Sequence, residues 1–256
     1  SVLFLKTLMN ALRKVGLLKG LVYMAAWGYY LYFRLRNNFK VVGLQYLPPK
    51  NRPRYILAGN HASGADAYLL LAGMTGRYLR RIYAVAHEKS FRKETPEKLW
   101  LEAMEMIPRV GSGQEIVDRM AQYLFNNRTI AIVPEGMYSA KVMKGYTGIM
   151  RLYWRVNRQF PEPTIPIIPV ATIGATDAYP FEAGADGKYH MKKTGIIARL
   201  GPPIFFEIPA HPPKEWFREK TDEVMKKIAK LGLQKEVIES WKLDSMERKK
   251  PRKYKI

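Results

Sequence analysis

The sequence predicts an α/β fold: a central, mostly parallel or mixed sheet flanked by helices and preceded by an N-terminal two-helix membrane-interface segment. Three observations carry that expectation. Short β-rich runs alternate with helical stretches from Phe39 onward, the pattern of a sheet whose crossovers are helices. Between Ile167 and Ile208 three strand-like runs follow one another without helices, which implies antiparallel pairing at that end of the chain. Ahead of Asn37 the chain is instead apolar, aromatic and edged by cations.

The elements follow in order. Leu5, Leu8, Met9, Leu12 and Val15 recur at helical spacing, with Lys6, Asn10, Arg13 and Lys14 left for a wet face. From Gly20 to Phe33 no charge occurs in 14 residues and six of them are aromatic, while Lys14, Lys19, Arg34, Arg36 and Lys40 flank the run. A bilayer span needs about 20 apolar residues, so this stretch fits an interfacial or buried helix. Two amphipathic helices lying among lipid headgroups have this composition, with two ordinary core helices as the alternative. No small-residue cleavage site follows, which argues against a signal peptide. Strands are expected near Phe39 to Val42, Tyr55 to Ala58, Ile82 to Ala86, Thr129 to Val133, Ile167 to Ile173, Gly195 to Leu200 and Ile204 to Ile208. Helices are expected near Ala65 to Gly73, Thr95 to Met106, Gln114 to Asn126, Gly145 to Arg158 and Lys214 to Leu231. Pro166 and Pro169 bracket a strand expected at a sheet edge. The expected organisation is a membrane-associated segment over 1–36, a main domain over 37–245 and a solvated basic tail over 246–256.

Composition narrows the function. A content of 47% hydrophobic residues in 256 can build an ordinary core. Lys and Arg number 43 against 22 Asp and Glu, a formal charge of +21 that calls for a polyanionic partner, either nucleic acid or anionic lipid. No helix-turn-helix, zinc finger or aromatic RNA-binding pattern is visible, and the uncharged aromatic N-terminal run points to lipid. The absence of cysteine excludes disulfides and thiol chemistry, and four histidines without cysteine argue against a structural zinc. No metal and no cofactor is expected.

The stretch GNHASGADAYLLL, Gly59 to Leu71, places His61 and Asp66 just before an apolar run. Ser63 followed by Asp66 reads as a capping box at a helix start, and His61 with Asp66 reads equally as a catalytic pair. In open α/β sheets ligands gather beyond the carboxyl ends of the strands. Asn60 and His61 directly follow one expected strand, and Pro134, Glu135 and Gly136 directly follow another. If those strands are neighbours, His61, Asp66 and Glu135 converge on one rim.

Four blocks taken in order resemble the glycerol-phosphate and lysophosphatidate acyltransferases, which move a fatty acyl group from acyl-CoA or acyl carrier protein to a lipid hydroxyl. These are NHASGAD at Asn60 to Asp66, IPR at Ile107 to Arg109, VPEGMYS at Val133 to Ser139 with MKGYTGIM after it, and IPIIPVAT at Ile165 to Thr172. The likeness covers about residues 39 to 210. It implies that His61 is the catalytic base and Asp66 its partner. Transfer to an alcohol needs such a base, and imidazole, with an ordinary pKa of about 6.5, suits the task. With no cysteine and no Gly-x-Ser-x-Gly elbow, direct transfer is simpler than an acyl-enzyme.

The resemblance further implies that Arg109 holds an acceptor phosphate and that Glu135 helps position the acceptor. Asn60, Ser63, Gly136 and Lys144 complete the candidate substrate site. Arg109 as a surface cation, and Glu135 as a buried carboxylate bonded to backbone amides, are the structural alternatives. Gly136 and Gly145 are expected in tight turns. The sequence departs from the family where Met137 and Tyr138 follow Gly136 in place of Thr-Arg, and where His87 replaces a lysine common after the third strand. The expected partners are therefore an anionic membrane surface, a lysophospholipid or another lipid alcohol, and acyl-CoA or acyl carrier protein. The expected location is the cytoplasmic face of the cell membrane, as a monotopic or peripheral protein.

Overall fold

The computed structural model describes residues 7–8, 17–92, 96–160, 164–184 and 186–239. The basic tail over 246–256 lies outside them, as does the first of the two expected N-terminal helices apart from Thr7 and Leu8, which are helical. The second is helix α1, Leu17–Asn37.

Seven strands build the sheet: β1 (Lys40–Val42), β2 (Ile56–Gly59), β3 (Ile82–His87), β4 (Ile107–Arg109), β5 (Thr129–Ile132), β6 (Ile167–Ile173) and β7 (Ile197–Leu200). Their order is β1-β7-β6-β2-β5-β3-β4. All neighbours run parallel except β6 and β7, so the antiparallel pair falls at the C-terminal end of the chain, where strand follows strand most closely. Successive residues of β2 serve opposite faces. Ile56 and Ala58 join the larger core under α5 (Gly113–Phe125), α6 (Gly148–Gln159) and α8 (Lys214–Leu231). Tyr55 and Leu57 join the core on the other side, where α2 (Asp66–Leu70), a π-helical turn (Leu71–Arg77) and α1 lie. Both faces of the sheet are covered, which is why its strands read as continuous apolar runs.

Several boundaries differ from expectation. Ile107–Arg109, read as a motif, is an edge strand paired with β3. The run Ile204 to Ile208 is no strand: only Ile204 bridges, to Ile167, and beyond it the Phe206 amide donates to the Tyr153 hydroxyl at 2.8 Å instead of to a strand. The strand holding Pro169 is interior, between β7 and β2. Pro169 faces Gly201, one residue past the end of β7, so its missing N–H falls where the β6–β7 ladder has ended, and its carbonyl accepts Gly201 N–H at 2.9 Å. Two short helices escaped the pattern, α3 (Lys89–Arg92) and α7 (Ala175–Ala178), each a single turn too brief to show a period; α4 (Pro96–Ala103) falls within its expected range.

Helix α1 carries two apolar faces. Val22, Ala26, Phe33 and Asn37 are buried against the domain at spacings of a helical stripe. Gly76 admits this docking, since a Cβ there would strike the Ala26 carbonyl. The buried Asn37 side chain ties the helix end to the loop beyond β6, donating to Thr194 O at 3.1 Å and accepting from the Tyr179 hydroxyl at 2.7 Å. On the other side Leu17, Met24, Trp27 and Leu35 are exposed, Leu35 at 81%. No described helix is long and apolar enough to cross a membrane.

Candidate active site

Strands β2 and β5 are hydrogen-bonded neighbours, so the polar residues that follow each of them meet at one rim. His61 stands two residues beyond β2 and Asp66 opens α2. His61 Nδ1 lies 3.0 Å from Asp66 Oδ2. A carboxylate only accepts, so Nδ1 carries the proton and Nε2 is left as the basic nitrogen. The same Asp66 oxygen accepts Ser63 N–H at 2.8 Å, while Oδ1 accepts the Ser63 hydroxyl at 2.9 Å. The Thr172 hydroxyl, at the end of β6, lies 3.3 Å from Oδ1. Asp66 is only 2% exposed and is thus surrounded by donors, which is what a buried charge requires. The two readings of the motif coexist. Asp66 closes half a capping box on the Ser63 amide, but the Ser63 hydroxyl turns to Asp66 and accepts from Ala65 N–H instead of from the third helical amide.

The loop after β5 closes over this pair. Glu135 is 1% exposed, and its two oxygens accept His61 N–H at 2.7 Å and Met143 N–H at 2.9 Å. Burial pushes its carboxyl up to about 7, against the two amides that favour the charged form; the nearby Asp66 charge adds to the rise. Gly136 supplies the turn with φ of 65°, and its missing Cβ leaves room for the Tyr146 ring. Ser139 N–H bonds to His61 O at 2.9 Å, and the Tyr138 ring lies over the imidazole with centroids 3.8 Å apart.

The remaining candidate residues separate. Asn60 is committed to β6, its Oδ1 accepting Thr172 N–H at 2.9 Å, and Ser63 is fully buried against Asp66. With Glu135 also bonded to backbone at both oxygens, these three hold the site together. Arg109 is exposed at the end of β4, in register with His87, and its charge lowers the Tyr146 hydroxyl against the larger effect of burial. Lys144 pairs with Glu239 at 3.5 Å. Tyr138 was marked by the sequence only as a departure from the family's arginine, and its packing on His61 was not expected; Thr172 and Phe181 were not expected at the site. Thr172 had one sign, a hydroxyl at the end of an apolar strand run; Phe181 had none. Beside the site an apolar cavity of about 320 Å³ opens between α1, the Gly64–Ala65 turn and the Tyr179–Pro180 segment. Among the described residues no group of His, Asp or Glu could hold a metal ion.

A family model described as Acyltransferase matches residues 38–173, more than half of the chain, including the His61–Asp66 pair and the Glu135 loop. The chain belongs to the acyltransferase family. No curated protein matches this acyltransferase significantly in sequence. Among solved structures it is similar to the crystal structure of the 1-acyl-sn-glycerophosphate (LPA) acyltransferase PlsC from Thermotoga maritima. The identity is 17% and the TM-score 0.60, over 98% of this chain and 89% of that one. At that identity the likeness concerns the fold, and it extends over the whole α/β acyltransferase body.

Proposed function

We propose that this acyltransferase works at a membrane surface. It moves a fatty acyl group from acyl-CoA or acyl carrier protein to the hydroxyl of a lysophospholipid, with 1-acylglycerol-3-phosphate as acceptor and phosphatidate as product. The observation that carries the reading is the 3.0 Å contact of His61 Nδ1 with a buried, fully donated Asp66. The acceptor hydroxyl gives its proton to His61 Nε2 as its oxygen attacks the thioester carbonyl. Asp66 holds the tautomer and steadies the imidazolium. Collapse of the tetrahedral adduct breaks the carbon–sulfur bond, and the thiol leaves with the proton from Nε2. No acyl-enzyme and no cofactor are involved, and Ser63, Asn60 and Glu135 position the loops that carry the pair.

Three features support the membrane setting. The outer face of α1 exposes Leu17, Met24, Trp27 and Leu35. The formal charge of +21 suits anionic lipid, each well-placed cation contributing about 1 kcal/mol. The apolar cavity beside α1 offers a fatty chain an apolar site against the Gly64–Ala65 turn, between His61 and Asp66 in the chain. Arg109, at the outer edge of the rim, donates hydrogen bonds to the acceptor phosphate in this reading. A second reading has one observation in its favour: Tyr138 stands where the family pattern has arginine, which suits a bulkier lipid alcohol or glycolipid acceptor. The test is mass-spectrometric identification of products from purified protein, palmitoyl-CoA and a panel of lysolipids. Phosphatidate as the main product supports the first reading, acylation of another acceptor alone supports the second, and no acylated lipid from any of them overturns both.

A further inference from the structure

One loop grips His61 at three places. Glu135 accepts its amide at 2.7 Å, Ser139 N–H reaches its carbonyl at 2.9 Å, and the Tyr138 ring covers its imidazole at 3.8 Å between centroids with a 37° tilt. Phe181 packs on Tyr138 in turn, its ring nearly parallel at 13° and 5.5 Å between centroids. His61, Tyr138 and Phe181, from three separate segments of the chain, thus pack ring on ring in sequence.

We propose that Tyr138 is a positioning residue that sets the plane of the His61 imidazole, with Phe181 as its backing. The proposal rests on the reading of His61 as the base. The Asp66 contact fixes Nδ1 but acts along one line, and the second torsion of histidine has a broad, shallow profile. A ring laid over the imidazole removes the remaining roll, so that Nε2 keeps one direction. The arrangement also places an aromatic face against the imidazolium formed during transfer, a favourable cation–π contact. Neither effect needs the phenol hydroxyl. Misplacing a reacting group by about 1 Å costs roughly 100-fold in rate, so a freed imidazole has a visible kinetic cost.

The experiment uses the full chain with palmitoyl-CoA and the best acceptor of the lysolipid panel. Tyr138→Ala is expected to lower kcat by about 10-fold to 100-fold, with both KM values within about threefold of wild type. Tyr138→Phe is expected to recover most of that loss. Phe181→Ala has a smaller effect that does not add to that of Tyr138→Ala, as coupled neighbours behave. Independently of rate, the Hε1 proton of His61, identified by its absence in His61→Ala, feels the ring current of Tyr138. Its resonance moves in Tyr138→Ala and returns in Tyr138→Phe. Tyr138→Leu replaces Tyr138→Ala if the latter does not unfold cooperatively. An unchanged kcat in the small-residue variant, a loss confined to the acceptor KM, or an unmoved His61 resonance overturns the proposal. Wild-type turnover by His61→Ala overturns instead the base assignment on which it rests.

Discussion

Asp66 Oδ2 bonds both His61 Nδ1, at 3.0 Å, and the backbone amide of Ser63, at 2.8 Å, so the atom that orients the ring also anchors the turn that presents it. Deleting either partner therefore has different consequences. His61→Ala is expected to lower kcat by about 100-fold to 10,000-fold with little change in stability, since the ring is partly exposed. Asp66→Asn is expected to be nearly as severe in rate and also to lower the melting temperature, because an amide cannot accept from all the donors that surround this carboxylate. Steady-state kinetics with thermal unfolding of each variant checks both; activity of His61→Ala within threefold of wild type removes the general-base role.

Glu135 predicts a pH dependence of stability. Its carboxyl is raised by burial from 4.5 to about 7 in the folded protein. Between those values the folded chain keeps a proton that the unfolded chain has lost, so this group's contribution weakens as pH rises from about 4.5 to 7 and is lost above it. The size is on the order of 3 kcal/mol, from about 1.4 kcal/mol per pH unit. Glu135→Gln is expected to flatten this part of the stability profile and to lower kcat, since its amide nitrogen cannot accept the second backbone N–H. Denaturant unfolding at pH 5, 6, 7 and 8 decides; identical slopes in the two proteins count against the burial argument.

The outer face of α1 predicts membrane attachment without a structural penalty. Trp27→Glu with Leu35→Glu is expected to weaken liposome binding by at least about 100-fold, since burying one large apolar side chain contributes about 1.5 to 3 kcal/mol. The melting temperature should stay within a few degrees, because neither side chain is part of the buried stripe. Flotation of the double variant with neutral liposomes as efficiently as wild type rules out this face as the anchor.

Arg109 predicts acceptor selectivity. Losing one charge-assisted contact costs about 1.5 to 3 kcal/mol, so Arg109→Ala should raise the KM for lysophosphatidate by roughly 10-fold to 100-fold and leave that for acyl-CoA unchanged. An equal loss with uncharged monoacylglycerol shows that the residue does not read phosphate.

Much of this protein is legible in its chain. Alternating β-rich and helical runs determine an α/β sheet, because apolar strands buried on both faces need helices on each, and Lys214–Leu231 is helical over the very span its periodicity marks. The ordered NHASGAD and PEG blocks determine the family and place His61, Asp66 and Glu135 at strand ends. Single-turn helices and the three-residue strand at Ile107 escape, since segments that short hold no full period. What Glu135 and Asn60 bond to, the fourth donor to Asp66, from Thr172, and the packing of Tyr138 on His61 and of Phe181 on Tyr138 were decided only by tertiary structure. These contacts join residues 43 to 112 positions apart, brought together by the β6-β2-β5 order of the sheet. Local pattern fixes which segments form strands and which residues end them, but the order in which strands pair is settled by the packing of the whole core.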